Sequence, residues 1–198
     1  MTMKKLSIRT VFKAVFLFCF CVFLQSCATK PAKKESIADL IRAGKTEELK
    51  ERFDTESVNT ADEDGNSLLH IAAASDNPVI VHFLLSMGAD IEAQNVQGQT
   101  PLLLALNKKA RNAVKALSEH NANIFAKDEF NSFPLEYAEK TNSFDLLING
   151  QTVLQRDSEG NTALHYAADK LNMGMVRSVL ALGKPKTVKN NTGKTPLM

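Results

Sequence analysis

Asn95-Val-Gln-Gly98-Gln-Thr100-Pro-Leu-Leu103 decides the fold, because its pattern returns along the chain. Glycine or asparagine stands at Gly65, Gly98, Asn131, Gly160 and Gly193, at spacings of 33, 33, 29 and 33. Three residues ahead of each lies Asp62, Asn95, Asp128, Asp157 or Asn190. Two residues after each begins a related tetrapeptide: Ser67-Leu-Leu-His70, Thr100-Pro-Leu-Leu103, Phe133-Pro-Leu-Glu136, Thr162-Ala-Leu-His165 and Thr195-Pro-Leu-Met198. An Asp or Asn before such a glycine is turn chemistry, since its short side chain accepts from nearby backbone N–H groups and glycine takes positive φ. Thr100 then reads as a helix N-cap and Pro101 as the first helical residue, where a missing N–H costs nothing. A period of this length marks stacked units, none of which can bury its apolar face alone.

Working outward from the tips, each unit has room for two helices. Ala72-Ala73 and Ala167-Ala168 keep the first one thin, so neighbours pack closely. The second carries the bulky face, for example Val79, Ile80, Phe83, Leu84 and Leu85. Gly88, Asn121, Gly150 and Gly183 fall ten residues ahead of the tip positions, where a left-handed residue ends a helix. This pattern resembles the ankyrin repeat over roughly residues 35–198. The resemblance implies an all-α solenoid of helix-turn-helix units with β-turn or hairpin tips. A degenerate capping unit occupies 35–61, full repeats fill 62–94, 95–127, 128–156 and 157–189, and a partial unit covers 190–198. In the cap, Ile37, Leu40 and Ile41 and then Leu49 and Phe53 sit at helical spacing around Gly44, beneath a heavily charged outer face. The repeat at 128–156 is four residues short, with the loss placed between Ala138 and Leu146, and Phe133 replaces its capping Thr. That repeat is expected to be the least stable, with a local kink in the stack.

Composition hides a second object. The whole chain has 24 basic and 22 acidic residues, but residues 1–26 hold Lys4, Lys5, Arg9 and Lys13 and no acid, leaving 20 against 22 beyond them. Ala14 to Leu24 is an unbroken apolar run, which as a helix spans about 16 Å, roughly half a bilayer's hydrocarbon core. A basic start and a short apolar middle are the layout of a cleaved signal peptide, and an uncleaved anchor is the weaker reading. Leu24-Gln25-Ser26-Cys27 resembles the lipobox of bacterial lipoproteins. The resemblance implies a signal peptide at 1–26, lipidation of Cys27, a polar tether at 27–34 and a place in the bacterial cell envelope. Ala28, rather than Asp, after the cysteine implies the outer membrane, with the protein facing the periplasm.

Little in the repeats invites chemistry. Residues 28–198 lack cysteine, which excludes disulfides and thiolate metal sites there. His70 and His165 occupy the histidine of the repeat motif, where the ankyrin resemblance implies inter-repeat hydrogen bonds, while His82 and His120 are expected to face solvent. Gly193-Lys194-Thr195 lacks the upstream glycine of a phosphate loop. No catalytic residue, metal, cofactor or small-molecule substrate is expected, and the near-neutral charge argues against nucleic acid. What remains is binding of a protein partner. The ankyrin resemblance places it at the variable tip positions Glu63, Asp64 and Asn66, then Val96, Gln97 and Gln99, then Glu129, Phe130 and Ser132, then Ser158, Glu159 and Asn161. On the inner helices it adds Ala74, Ser75, Asn107, Lys108, Asp169 and Lys170. Phe130, the aromatic at a tip, is the hot-spot candidate; the competing reading folds it back over the shortened repeat. The acids among these positions favour a basic partner. An immunity role and an adaptor role both fit such a lipoprotein. The alternative is an N-terminal fragment of a longer protein with an enzyme domain after Met198.

Overall fold

The computed structural model describes residues 35–53, 58–183 and 187–196. The lipobox, Cys27 and the tether lie outside the described residues, as does Met198. Helices alternate between an inner and an outer row. The inner row is α1 (Ile37–Arg42), α3 (Leu68–Ala74), α5 (Pro101–Asn107), α7 (Pro134–Thr141) and α9 (Ala163–Asp169). The outer row is α2 (Thr46–Arg52), α4 (Pro78–Ser86), α6 (Arg111–Glu119), α8 (Phe144–Leu147) and α10 (Met173–Ala181). Among the described residues no strand forms, and the tips contribute one isolated bridge, between Ala61 and Ser67.

Helices of four to nine residues are too short to hold in water alone, so caps and stacking must sustain them. Ser36 Oγ accepts from Asp39 N–H (3.1 Å) while the Asp39 carboxylate accepts from Ser36 N–H (3.2 Å), a reciprocal cap on α1. Thr100 Oγ1 accepts from Leu103 N–H (3.3 Å) at α5, with Pro101 at the first position as expected. Asn77 and Asn172 cap α4 and α10 in the same way, accepting from Ile80 N–H (3.1 Å) and Met175 N–H (3.0 Å). Gly88, Asn121 and Gly183 adopt the expected left-handed conformation, whereas Gly150 does not.

Each inner helix packs on its own outer helix and, from α1 through α7, on the inner helix of the neighbouring unit. Ala72, Ala73, Ala105, Ala138 and Ala167 are buried on the inner row, and their small side chains allow that approach. Ile80, Leu84, Leu102, Leu117, Ile124, Leu135 and Leu147 are fully buried between layers, each contributing about 1.5–3 kcal/mol. On α4 one expectation is corrected. Val79 is exposed and Val81 takes the buried place beside Ile80 and Leu84. In the cap, Leu40, Ile41 and Leu49 are buried and the Phe53 ring meets Phe83 edge-on at 5.2 Å.

The third repeat departs where its length requires. The left-handed residues that turn inner into outer helix are Asp76, Lys109, Asn142 and Leu171, and each outer helix starts two residues later. Register therefore holds through Asn142 and Phe144. The missing residues belong to the far end of α8, after Leu147, rather than to the segment before Leu146. α8 has four residues where α4, α6 and α10 have nine. Polar side chains replace the lost turn. Ser118 Oγ donates to Leu146 O (2.8 Å), and Asn149 Nδ2 donates to Ser118 O (2.8 Å). Thr152, fully buried in a 3-10 turn (Thr152–Leu154), donates to Leu147 O (2.7 Å) and accepts from Asn149 N–H (2.9 Å). Gln155 reaches back to the second repeat, accepting from Ile124 N–H (2.8 Å) and donating to Ala122 O (3.0 Å).

Candidate binding surface

The five tips share one geometry. Asp62 Oδ1 accepts from Asp64 and Asn66 N–H, and Asn95, Asp128, Asp157 and Asn190 repeat the pair of bonds, all at 2.8–3.1 Å. The fourth tip position carries positive φ every time, from 58° at Asn131 to 79° at Gly193. Adjacent tips are joined along the main chain. Val96 N–H donates to Asp64 O (3.1 Å), Glu129 N–H to Gln97 O (3.2 Å) and Asn191 N–H to Glu159 O (2.9 Å). No such bond joins the third tip to the fourth among the described residues. That gap explains Asn131. A Cβ at Gly98 would lie 2.9 Å from Glu129 N, and one at Gly160 would lie 2.9 Å from Asn191 N. Where no following tip is bonded on, a side chain fits.

The motif histidines stitch units together as expected. Ser67 N–H donates to His70 Nδ1 (3.2 Å), which leaves the ring proton on Nε2 to be donated to Gln99 O (2.8 Å). Thr162 N–H likewise donates to His165 Nδ1 (3.1 Å), and His165 Nε2 donates to Lys194 O (3.1 Å). Burial holds the His70 imidazole below its ordinary pKa, against the opposing pull of the Gln99 carbonyl and of Asp62. Neither histidine is free to ligate a metal.

At the third repeat Phe133 offers no capping oxygen to α7, and Leu135 N–H bonds to Ile124 O instead (3.1 Å). Its ring works as a wedge, 6.1 Å from Phe125 and 5.4 Å, edge-on, from Tyr166. α7 and α9 approach each other less closely than the preceding inner helices do. Larger groups span the opening. Tyr166 OH donates to Glu139 Oε2 (2.9 Å), and burial together with that carboxylate raises the phenol pKa.

Most anticipated contact positions are open to solvent. Glu63, Asp64, Gln97, Lys108, Glu129, Ser158, Glu159 and Asp169 are exposed, as are Ser75, Asn107 and Lys170. Val96 is 61% and Phe130 74% exposed, so Phe130 does not fold back over the shortened repeat. Asn66, Ser132, Asn161 and Ala74 are half-buried; Asn66 and Asn161 hold neighbouring tips by accepting from Asn95 Nδ2 (3.0 Å) and Asn190 Nδ2 (2.8 Å). Gln99 is corrected. It is buried, its carbonyl taken by His70, and it offers no contact surface.

Among the described residues, two concavities include the anticipated positions. One, of about 370 Å³, lies over the first and second repeats, where Arg42, Asp62, Asp64, Val96, Gln97 and Lys108 surround a floor of Ile71 and Ala74. The other, of about 600 Å³, lies over the fourth repeat and the following tip, between Glu159, Tyr166, Asp169 and Lys194. Arg42 and Tyr166 were not anticipated. They lie on inner helices at other places than the anticipated ones, and only stacking brings Arg42 to within 3.6 Å of Asp62. Among the described residues no cluster of three or more metal-ligating side chains forms.

Comparison with known proteins agrees with this geometry. Residues 28–128 match the family of ankyrin repeats (3 copies), and residues 159–191 match a further ankyrin repeat, with the short unit lying between. The chain belongs to the ankyrin-repeat family. It is similar to the B-cell lymphoma 3 protein homolog of Mus musculus, 32% identical over 69% of this chain and 33% of that protein. It is also similar to the human transient receptor potential cation channel subfamily A member 1, 30% identical over 71% of this chain and 13% of that protein. The chain thus spans a third or less of these relatives' length. Among solved structures, the ankyrin repeat domain of Bcl-3 aligns with a TM-score of 0.58 at 27% identity, covering 82% of this chain and 75% of that one. Ankyrin repeats generally serve as protein–protein interaction modules, and the ankyrin domains of such relatives are typically non-enzymatic.

Proposed function

We propose that the chain is a non-enzymatic, membrane-tethered lipoprotein of the bacterial envelope, lipidated on Cys27, that binds a basic protein partner in the periplasm. The observation that carries the binding half is the row of exposed acids along the tips, Glu63, Asp64, Glu129 and Glu159, interspersed with exposed Val96 and Phe130. Acids in a row attract and orient a basic surface, and apolar side chains among them supply desolvated contact. The tether half rests on the lipobox and the basic, apolar leader before it. Two acyl chains or more make such an anchor stable where one alone is marginal.

A photo-crosslinking residue placed at Val96 in living cells tests the surface. The expected product is a covalent complex with a basic protein, lost when Asp64 and Glu129 are both changed to lysine. Crosslinking that survives this charge reversal would overturn the reading. The tether is tested separately: Cys27→Ser should abolish incorporation of labelled palmitate and release the chain from the membrane fraction.

A further inference from the structure

His82 stands on the exposed face of α4, and His120 ends α6 one unit further along. Stacking brings them together across 38 residues of sequence, with His82 Nδ1 and His120 Nε2 2.8 Å apart and the rings 5.0 Å between centroids. Both anchors are firm. His120 N–H is bonded to Ala116 O and Leu117 O (3.2 Å each), and α4 and α6 pack on one another. Two imidazole nitrogens at this separation share one proton, one ring donating and the other accepting.

We propose that this pair is a bidentate site for a late divalent transition-metal cation, Cu²⁺ or Zn²⁺. Nitrogen ligands at about 2.0–2.1 Å from such a metal, subtending 90–110°, lie roughly 2.9–3.4 Å from each other. The nitrogens therefore need to part by a few tenths of an ångström, and each ring must turn on its exposed side chain so that its lone pair meets the metal rather than the other ring. The ring that donates in the free protein moves its proton to its other nitrogen, so both nitrogens of the pair present lone pairs. No net proton is released by the neutral pair, and the metal loses two waters to the two imidazoles. The remaining coordination positions stay with water, since no third His, Cys, Asp or Glu joins the pair among the described residues. Two imidazoles without a carboxylate select imidazole-loving cations over Mg²⁺ or Ca²⁺, with Cu²⁺ held more tightly than Zn²⁺. Bound metal would clip the outer helices of the first and second repeats and stabilise the folded stack by mass action.

The test titrates ZnCl₂, and separately MgCl₂, into the full-length chain with its three cysteines alkylated, read by calorimetry and by histidine side-chain NMR. The expected result is one Zn²⁺ bound per chain, with shifts at His82 and His120 but not at the buried His70 and His165, and no response to Mg²⁺. Either His82→Gln or His120→Gln should weaken Zn²⁺ at least tenfold, and the double variant should lose no more than either single one. Both substitutions lie on exposed side chains, and circular dichroism verifies that the repeats remain folded. Zn²⁺ affinity unchanged in both variants, or unmoved His82 and His120 resonances at saturation, would overturn the proposal.

Discussion

The second and third repeats began from the same plan and now hold themselves together differently. In the second, Thr100 caps α5, nine residues form α6, and apolar Leu102, Leu106 and Leu117 fill the space between layers. In the third, Phe133 has displaced the cap, α8 is a single turn, and Ser118, Asn149, Thr152 and Gln155 bond the main chain where a helix would have packed. A repeat can thus lose a turn of its outer helix and stay in the stack, provided the exposed backbone groups find new partners. The cost falls on the junction with the next unit, where the tip bonds stop and the inner helices separate.

The difference can be broken from either side. Leu117→Ala empties a fully buried site in the second repeat and should cost about 2–5 kcal/mol in urea denaturation. A loss under 1 kcal/mol would mean that this layer is not tightly packed. Phe133→Thr restores the capping residue of the other repeats but removes the wedge against Phe125 and Tyr166. A regained cap is worth about 1 kcal/mol, whereas the ring contributes burial and two aromatic contacts, so a net loss of about 2 kcal/mol is expected. Net stabilisation would show the wedge to be idle. Thr152→Val keeps the shape and strands Leu147 O and Asn149 N–H in the interior, at a cost of about 1–3 kcal/mol.

A gain should come at the tip. Asn95 and Asn190 donate to the preceding tips, but Asp128 cannot donate, and its Oδ2 and the Gln99 Oε1 are buried without a hydrogen-bond partner. Asp128→Asn supplies the missing donor and should stabilise by about 1 kcal/mol. The smallest effect is one of pH. The folded chain holds His70 neutral below its ordinary pKa, so the unfolded chain binds a proton that the native state refuses. Stability is therefore complete above the unfolded value of about 6.5 and falls as the pH drops below it toward the folded value. The urea midpoint should decline over that window in the parent chain and decline less in His70→Gln.

Much of this was legible in the sequence and some was not. The tips and the caps at Thr100 and Asn121 follow from local chemistry that repeats in fixed phase, and the inter-repeat role of His70 came from the ankyrin resemblance. The short repeat was visible as a spacing of 29, but its missing residues were placed too early, between Ala138 and Leu146, since a count does not say which helix shrinks. Asn142 at positive φ locates them, and that is a backbone property. The candidate surface was legible at its tips and illegible at Arg42, Tyr166 and the His82–His120 pair, which meet only because units stack. Gln99 misled for the opposite reason. Its position varies in type along the chain, yet here it points inward.

Native-state hydrogen exchange, resolved by repeat, bears most directly on the claim that the third unit is the weak joint. Amides of α8 and of the 3-10 turn after it should exchange through openings well below the global unfolding free energy, while α3, α5 and α6 exchange near it. Equal protection in the second and third repeats would contradict the account.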